Sequence, residues 1–298
     1  MRTLLTMGIV LGVFLCGCSD SGRRVVGTDD VVPPGEPRDV WSITGDGGVT
    51  LYWSAPLGEI VRGYSVFISQ NDFDYYRIGD VGPERHHFVI DGDVLPAGVP
   101  FDFVNGNTYY LGVSAYDSAG NESELTESST TFDTPRPSGR NLTLYRADGP
   151  RAAESGYDFS RSPYGYAMSG NSLFTDVYFT FAGAVPVLRT PYPQVVEMQD
   201  MGRLDFDDPL VGWFPEDIWL PAAEVTLRPG HVILVRIWEE TRPGNTTEPY
   251  NVAKLLVADV LSDALLLDWA YQIAPNNREL KPGVTVRETK PRAREVRQ

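Results

Sequence analysis

The stretch NTYYLGVSA, residues 107–115, decides the fold of the first half of this chain. Its apolar residues alternate with small or polar ones, which is typical of a β-strand with one face in a core. Similar short stretches recur between residues 39 and 135, and glycine, proline, asparagine or aspartate separates most of them. Seven such strands within about 100 residues predict an antiparallel β-sandwich.

Several motifs of this region resemble the fibronectin type III family. They are a proline-rich opening at residues 33–37, Trp53 followed three residues later by proline, the stretch IVRGYSV at residues 60–66, and residues 107–115. The resemblance implies a sandwich that covers residues 34–136. Domains of this family serve as spacers or protein-binding modules, so the resemblance implies a fold and does not imply a reaction.

The same resemblance implies roles for three aromatic residues. Trp53 and Tyr64 are expected in the core between the two sheets. Tyr109 is expected to be the corner tyrosine, whose hydroxyl bonds to nearby backbone. Residues 93–106 are longer than the family pattern and predict a loop insertion before the sixth strand.

Both cysteines of the chain lie near its start, in FLCGCSDSG at residues 14–22. Such close cysteines are compatible with a redox pair, part of a metal site, or a segment that is removed before folding. Arg2 and the uncharged, mostly apolar run at residues 4–15 are typical of a secretory signal peptide. The run is shorter than the roughly 20 residues that a membrane-spanning helix needs.

The end of this run, LCGC at residues 15–18, resembles the lipobox of bacterial lipoproteins. The resemblance implies that residues 1–17 are removed and that the thiol of Cys18 carries diacylglycerol. A generic signal peptide with an incidental cysteine, or an uncleaved anchor, are the alternatives. Residues 18–33 are polar and predict a flexible tether. In the lipoprotein pattern an aspartate after the cysteine favours inner-membrane retention, so Ser19 at this position implies, by the same resemblance, the outer membrane or the cell surface.

Composition limits the classes of function. Apolar residues make up 42% and charged residues 22% of the 298 residues, which is ordinary for a globular chain with room for about two domains. The net charge of −15 disfavours nucleic acid as a partner. A processed chain would retain no cysteine that is free to ligate a metal, and it has three scattered histidines. We therefore expect no metal site and no cofactor.

The second half, residues 140–286, also predicts β-structure. The linker pattern TPRPSG at residues 134–139 precedes it, and a charged tail at residues 287–298 follows it. Residues 251–261 and 263–273 predict a hairpin, although the first of these stretches also fits a helical period loosely. The predicted fold class is therefore all-β, with a fibronectin type III sandwich followed by a second sandwich-like β-domain.

Residues 250–272 also resemble the C-terminal strands of HmuY-like bacterial surface lipoproteins. Some members of that group bind haem through paired side chains. No such pair can be assigned in this sequence, so the resemblance implies a β-rich fold and not a haem site.

The remaining polar motifs are weak candidates. His86 and His87 are adjacent in a predicted strand, where one is expected to point inward and the other outward, so they cannot easily share a metal. The acidic region at residues 200–219 lacks the spacing of a calcium loop and predicts solvated carboxylates. A glycan hydrolase would need two facing carboxylates, and none is singled out.

Aromatic residues of the second domain include Trp213 and Trp219, which are weak candidates for a sugar-binding platform with Phe214, Trp238, Tyr164, Tyr166 and Tyr192. In β-sandwiches such residues more often form the core.

Taken together, these features lead us to expect a non-enzymatic lipoprotein, attached to the membrane by its lipid, that binds or scaffolds other envelope components. A protein that binds carbohydrate or another small ligand is the alternative, and a hydrolase is a weaker one.

Overall fold

The computed structural model describes residues 32–161, 165–238 and 249–281. The signal peptide, Cys18, most of the tether and the charged tail at residues 287–298 lie outside the described residues. Within the described ranges, no helix has the length and the hydrophobicity to span a membrane. These ranges are dominated by strands, with one-turn 3₁₀ helices at Ala152–Glu154, Pro209–Val211 and Glu216–Ile218.

The first half folds into two facing antiparallel sheets. Their strands, in chain order, are β1 (Arg38–Thr44), β2 (Gly48–Ser54), β3 (Gly63–Ser69), β4 (Tyr76–Val81), β5 (His87–Asp91), β6 (Tyr109–Tyr116) and β7 (Thr130–Asp133). One sheet has the order β1-β2-β5 and the other has the order β4-β3-β6-β7. This arrangement of three strands facing four confirms the predicted fibronectin type III-like sandwich.

Alternation along β2 places Val49, Leu51 and Trp53 on the inner face, where they are buried. The rings of Trp53 and Tyr64 meet edge to face with centroids 5.4 Å apart. Tyr109 is fully buried, and its hydroxyl donates to the backbone oxygen of Asp102 at 2.7 Å. The structure therefore places the three predicted aromatic residues in one core.

The second half is a further pair of packed sheets. The larger sheet contains β8 (Ser138–Tyr145), β13 (Val196–Arg203), β15 (His231–Trp238), β16 (Tyr250–Val260) and β17 (Ala264–Gln272), in the order β13-β15-β16-β17-β8. The smaller sheet contains β9 (Gly156–Asp158), β10 (Tyr166–Met168), β11 (Val177–Ala182), β12 (Val185–Arg189) and β14 (Glu224–Thr226), in the order β10-β9-β11-β12-β14. The all-β fold class is confirmed.

The predicted hairpin at residues 251–273 is present as β16 and β17, and the helical alternative is wrong. The larger sheet is covered on both faces, by the smaller sheet on one side and by a second cluster around Phe214 on the other. A strand that is covered on both faces has a continuous run of apolar residues in its sequence instead of an alternating pattern. This explains why the period of β16 was ambiguous in the sequence.

The predicted linker at residues 134–139 is a buried, hydrogen-bonded connection. Residues 134–137 are buried, and β8 already begins at Ser138. The backbone N–H of Arg136 donates to the oxygen of Gly45, and that of Tyr271 donates to the oxygen of Pro137. The connection therefore contacts both sandwiches through its backbone.

Candidate functional site

The most distinctive surface of the second sandwich is a segment that we call the 209–220 loop. It contains two one-turn 3₁₀ helices and crosses the face of the larger sheet opposite the smaller sheet. Its large apolar side chains that remain between 47% and 75% exposed are Leu210, Trp213, Ile218 and Leu220. Four large exposed apolar side chains on one loop make it a candidate interaction surface.

The base of this loop is held by an aromatic cluster around Arg236. The guanidinium carbon lies between 4.9 and 5.7 Å from the centroids of four rings, within the range of a cation–π contact. These rings belong to Phe214, Trp219, Trp238 and Tyr250. Because Phe214 and Trp219 come from the loop and the other two from strands, the cluster fastens the loop to the sheet.

The charge of Arg236 is compensated by Glu197, which lies opposite it in the β13–β15 pair. Arg236 Nε donates to Glu197 Oε2 at 2.9 Å, and the indole N–H of Trp219 donates to the same oxygen at 3.3 Å. Both charged side chains are almost completely buried. The pair is therefore a structural lock, and its occupied aromatic cage is not available to an external cation.

The two tryptophans proposed as a ligand platform have different environments. Trp219 is partly buried and packs on Phe214 with ring centroids 4.5 Å apart. Trp213 faces the surface beside Arg278, whose guanidinium carbon is 5.9 Å from the ring centroid. Arg278 in turn is 3.2 Å from a carboxylate oxygen of Glu216. Only Trp213 of the two therefore presents its ring to solvent next to exposed polar groups.

The other members of the aromatic set are dispersed. Trp238 is buried in the cluster around Arg236, and Tyr192 is partly buried. Tyr166 is half exposed on β10, where Arg161 lies over its ring. Tyr164 lies outside the described residues.

Carboxylates of the acidic region at residues 200–219 have separate local partners. Asp200 lies 3.0 Å from Nδ1 of His231, and Asp208 accepts the backbone N–H of Leu210 at 2.9 Å. Glu216 accepts a hydrogen bond from the hydroxyl of Tyr250. Among the residues that the structure describes, no three His, Cys, Asp or Glu side chains are grouped so that they could hold a metal ion.

The directions expected for His86 and His87 agree with the structure, but neither side chain is buried, because both are exposed. His86 precedes β5 and contacts the ring of the core residue Tyr64, whereas His87 lies over Tyr52 on the outer face. They do point to opposite faces. Both remain accessible because β5 is an edge strand.

A depression of about 410 Å³ lies beside these histidines and is bounded by the exposed turn at residues 82–85 and by His87.

Two buried carboxylates of the second sandwich have no signal in the sequence. Asp176 accepts the backbone N–H of Phe159 at 2.8 Å, and burial raises its pKa to about 7. Asp158 is also buried and accepts the backbone N–H groups of Ser160 and Arg161. Their oxygens satisfy backbone donors at the end of β9, so their arrangement indicates a structural role.

No protein-family model and no curated protein matches the chain. Among solved structures, the fibronectin type III domain of the human collagen alpha-1(XX) chain is 22% identical, with 38% of this chain and 96% of that chain covered and a TM-score of 0.28. A DUF4466 family protein from Parabacteroides merdae is 9% identical, with 80% of this chain and 99% of that chain covered and a TM-score of 0.37.

The spore cortex lytic enzyme of Clostridium perfringens is 20% identical over 36% of this chain, with a TM-score of 0.28. The chain covers only 30% of the length of that enzyme. At these identities and TM-scores the likenesses carry no argument about activity.

Proposed function

We propose that this chain is a lipid-anchored lipoprotein of the cell envelope, on the outer membrane or the surface, that acts as a non-catalytic binding module. Cys18 is the membrane attachment point, the first sandwich is the spacer, and the 209–220 loop binds a protein partner. The observation that carries the proposal is the combination of exposed apolar side chains on this loop with a base that is locked to the sheet.

The order of the parts supports a spacer role for the first sandwich. The chain enters this sandwich at the end where Glu36 accepts a hydrogen bond from Ser128 at 2.5 Å. The second sandwich is joined at the opposite end, where Arg136 bonds to Gly45 in the turn between β1 and β2. A membrane anchor at Cys18 would therefore hold the first sandwich between the bilayer and the second sandwich.

The 209–220 loop has the properties of a preorganised binding surface. Interfaces gain most of their affinity from a few large anchors, and tryptophan is enriched among them. Ordering a loop on binding costs free energy, so a loop that is already held by the Arg236 cluster avoids part of this cost. Trp213 is the aromatic anchor of this loop, which also carries the exposed side chains of Leu210, Ile218 and Leu220.

Site-specific photo-crosslinking tests the binding role. A photoreactive phenylalanine analogue at position 213 is expected to give a discrete crosslinked product in intact cells, and the same analogue at Leu261 is the matched control. Leu261 is similarly exposed but lies in the β16–β17 turn. A product at position 213 that is absent at position 261 supports the proposal. Equal labelling at both positions, or none at position 213, contradicts it.

The anchor has its own test. Cys18→Ser removes the only thiol that the lipobox pattern offers for lipidation, so an unprocessed precursor without labelled fatty acid is expected. Cys16→Ser is the matched control and should be processed and labelled normally. Lipid labelling of the Cys18→Ser variant would show that the assignment is wrong.

Carbohydrate binding is a second candidate, favoured by the half-exposed ring of Trp213 beside Arg278 and Glu216. Aromatic faces next to polar side chains suit a sugar ring, which has apolar faces and hydroxyl groups. A glycan array with the chain from residue 19 to residue 298 tests this. Binding that is lost in Trp213→Ala and retained in Trp41→Ala would support it, whereas cleavage of a bound glycan would contradict the non-catalytic role.

A further inference from the structure

We propose that the loop at residues 55–62 of the first sandwich contacts the lipid surface to which the chain is anchored. This loop connects β2 with β3, and its two exposed aliphatic side chains belong to Leu57 and Ile60. Ile60 is 96% exposed and Leu57 is 76% exposed, although both are large apolar residues. The inference rests on the proposed lipid anchor at Cys18.

The loop lies at the end of the sandwich where the chain enters. The backbone N–H of Gly35 donates to Glu59 Oε2 at 2.5 Å, so the entering segment contacts the loop directly. Arg38, at the start of β1, donates through its side chain to the oxygen of Ala55 at 3.2 Å. The second sandwich is attached at the opposite end, and Leu57 and Ile60 are exposed to solvent among the described residues.

The length of the preceding chain limits how far this end can be from the bilayer. Thirteen residues separate Cys18 from Val32, the first described residue. Since an extended chain spans at most about 3.5 Å per residue, Val32 lies within roughly 50 Å of the lipidated sulfur. Of the two ends of the first sandwich, the one with Leu57 and Ile60 is the one nearer to Cys18 along the chain.

Two aliphatic side chains would not hold a free protein on a bilayer, because even a single myristoyl chain binds only marginally. The lipid anchor makes such a weak contact effective. In an anchored chain the loop meets the bilayer in an intramolecular step, with an effective concentration on the order of millimolar. The loop itself carries one acidic and one exposed basic side chain, Glu59 and Arg62, but the net charge of −15 of the whole chain opposes anionic headgroups. The favoured surface is therefore zwitterionic, such as phosphatidylethanolamine with phosphatidylcholine.

A single-thiol fluorescence experiment tests the inference independently of lipidation. The chain from residue 19 to residue 298 contains no cysteine, so Ile60→Cys introduces a unique site for an environment-sensitive dye. An N-terminal hexahistidine tag on nickel-chelating lipid replaces the natural anchor. We expect a severalfold rise and a blue shift of emission on zwitterionic vesicles, quenching by spin-labelled lipid, and a smaller signal when phosphatidylglycerol is added.

Val89→Cys and Leu261→Cys are the controls. Both positions are about half exposed, one at the middle of the edge strand β5 and the other in the second sandwich. Their dyes are expected to show no change. The inference is overturned if the dye at position 60 is unchanged on vesicle-bound protein, or if all three positions respond equally.

The full chain, processed in a bacterial host and reconstituted, forms a second arm. Mass spectrometry shows whether Cys18 carries acyl chains, and the dye at position 60 reports contact with the bilayer. A lipidated protein without a dye response overturns the contact and leaves the anchor standing. A chain that is not lipidated but responds in the tagged arm overturns the anchor and retains the lipid affinity of the loop.

Discussion

Thr134 Oγ1 donates a hydrogen bond to Glu279 Oε2 at 2.9 Å, and this buried bond joins the end of the first sandwich to the C-terminal segment of the second. Asn277 donates to the same hydroxyl at 3.2 Å. Arg136 lies fully buried nearby, and its side-chain nitrogens have no hydrogen-bond partner among the described residues. Burial lowers the pKa of Arg136, and the nearby carboxyl groups of Glu279 and Asp133 act in the opposite direction. The junction is thus a polar interface and not a free linker.

The junction predicts that Thr134→Val destabilises the protein. The substitution keeps the shape of the side chain but removes the hydroxyl that Glu279 and Asn277 share, which leaves buried polar groups without this partner. A loss of about 1–3 kcal/mol in the free energy of unfolding is expected, measured by urea denaturation of the chain from residue 19 to residue 298. Thr131→Val, on β7, is the control and should change stability by less than about 0.5 kcal/mol. Equal effects would contradict a specific role of the junction.

The buried carboxyl of Asp176 predicts a pH dependence of stability. Its pKa rises from 3.8 to about 7 on folding because burial disfavours the carboxylate. The contribution to stability is therefore complete below pH 4 and is lost as the pH rises towards and through 7. Burial also raises the pKa of Glu279, so its contribution has the same sign.

Asp176→Asn should make the melting temperature less dependent on pH between 5 and 8, and it should raise stability at pH 8 relative to the wild type. An asparagine oxygen can still accept the backbone N–H of Phe159. Thermal denaturation at several pH values measures this, with the exposed Asp217→Asn as the control. If the melting temperature depends on pH in the same way in Asp176→Asn and in the wild type, burial does not disfavour the ionised carboxylate of Asp176 and the prediction is wrong.

The lock between Arg236 and Glu197 predicts a large effect of Arg236→Met. Removing the guanidinium leaves a buried carboxylate without its main positive partner, so a loss of about 3–5 kcal/mol is expected in denaturant unfolding. Limited proteolysis should then cut the 209–220 loop faster. Arg189→Met, which breaks the half-exposed pair with Glu224, is the matched control and should cost less than about 1 kcal/mol. A similar cost for the two variants would refute the lock.

The corner tyrosine predicts a smaller but specific effect. Tyr109 accepts the backbone N–H of Val104 at 2.9 Å and donates to the oxygen of Asp102. Tyr109→Phe removes both bonds and should lower the free energy of unfolding by about 1–3 kcal/mol, measured in urea. Tyr110→Phe, its neighbour on the outer face of β6, should be nearly neutral. The prediction fails if the two variants are equally stable.

The residues of the first sandwich were predictable because their signals are local. Alternation at residues 107–115 and the turn residues between strands predict an antiparallel β-sandwich, and the resemblance of the motifs to the fibronectin type III family implies how its strands are ordered. The β16–β17 hairpin was also recognisable. The short strands β9, β10 and β14 were not predicted, since three residues are too few to establish a period. The eight-residue strand β13 was not predicted either, because its burial does not alternate along the strand.

The sequence by itself determined the all-β class, the core positions of Trp53 and Tyr64, and the motif on which the lipidation of Cys18 is predicted. Tertiary structure decided that the segment at residues 134–137 is buried, that Trp219 is a structural residue while Trp213 faces solvent, and that Asp176 is a buried acid. The physical reason is that periodicity reports which residues share a face of a strand, whereas only the packing of sheets and loops decides whether that face meets protein or water.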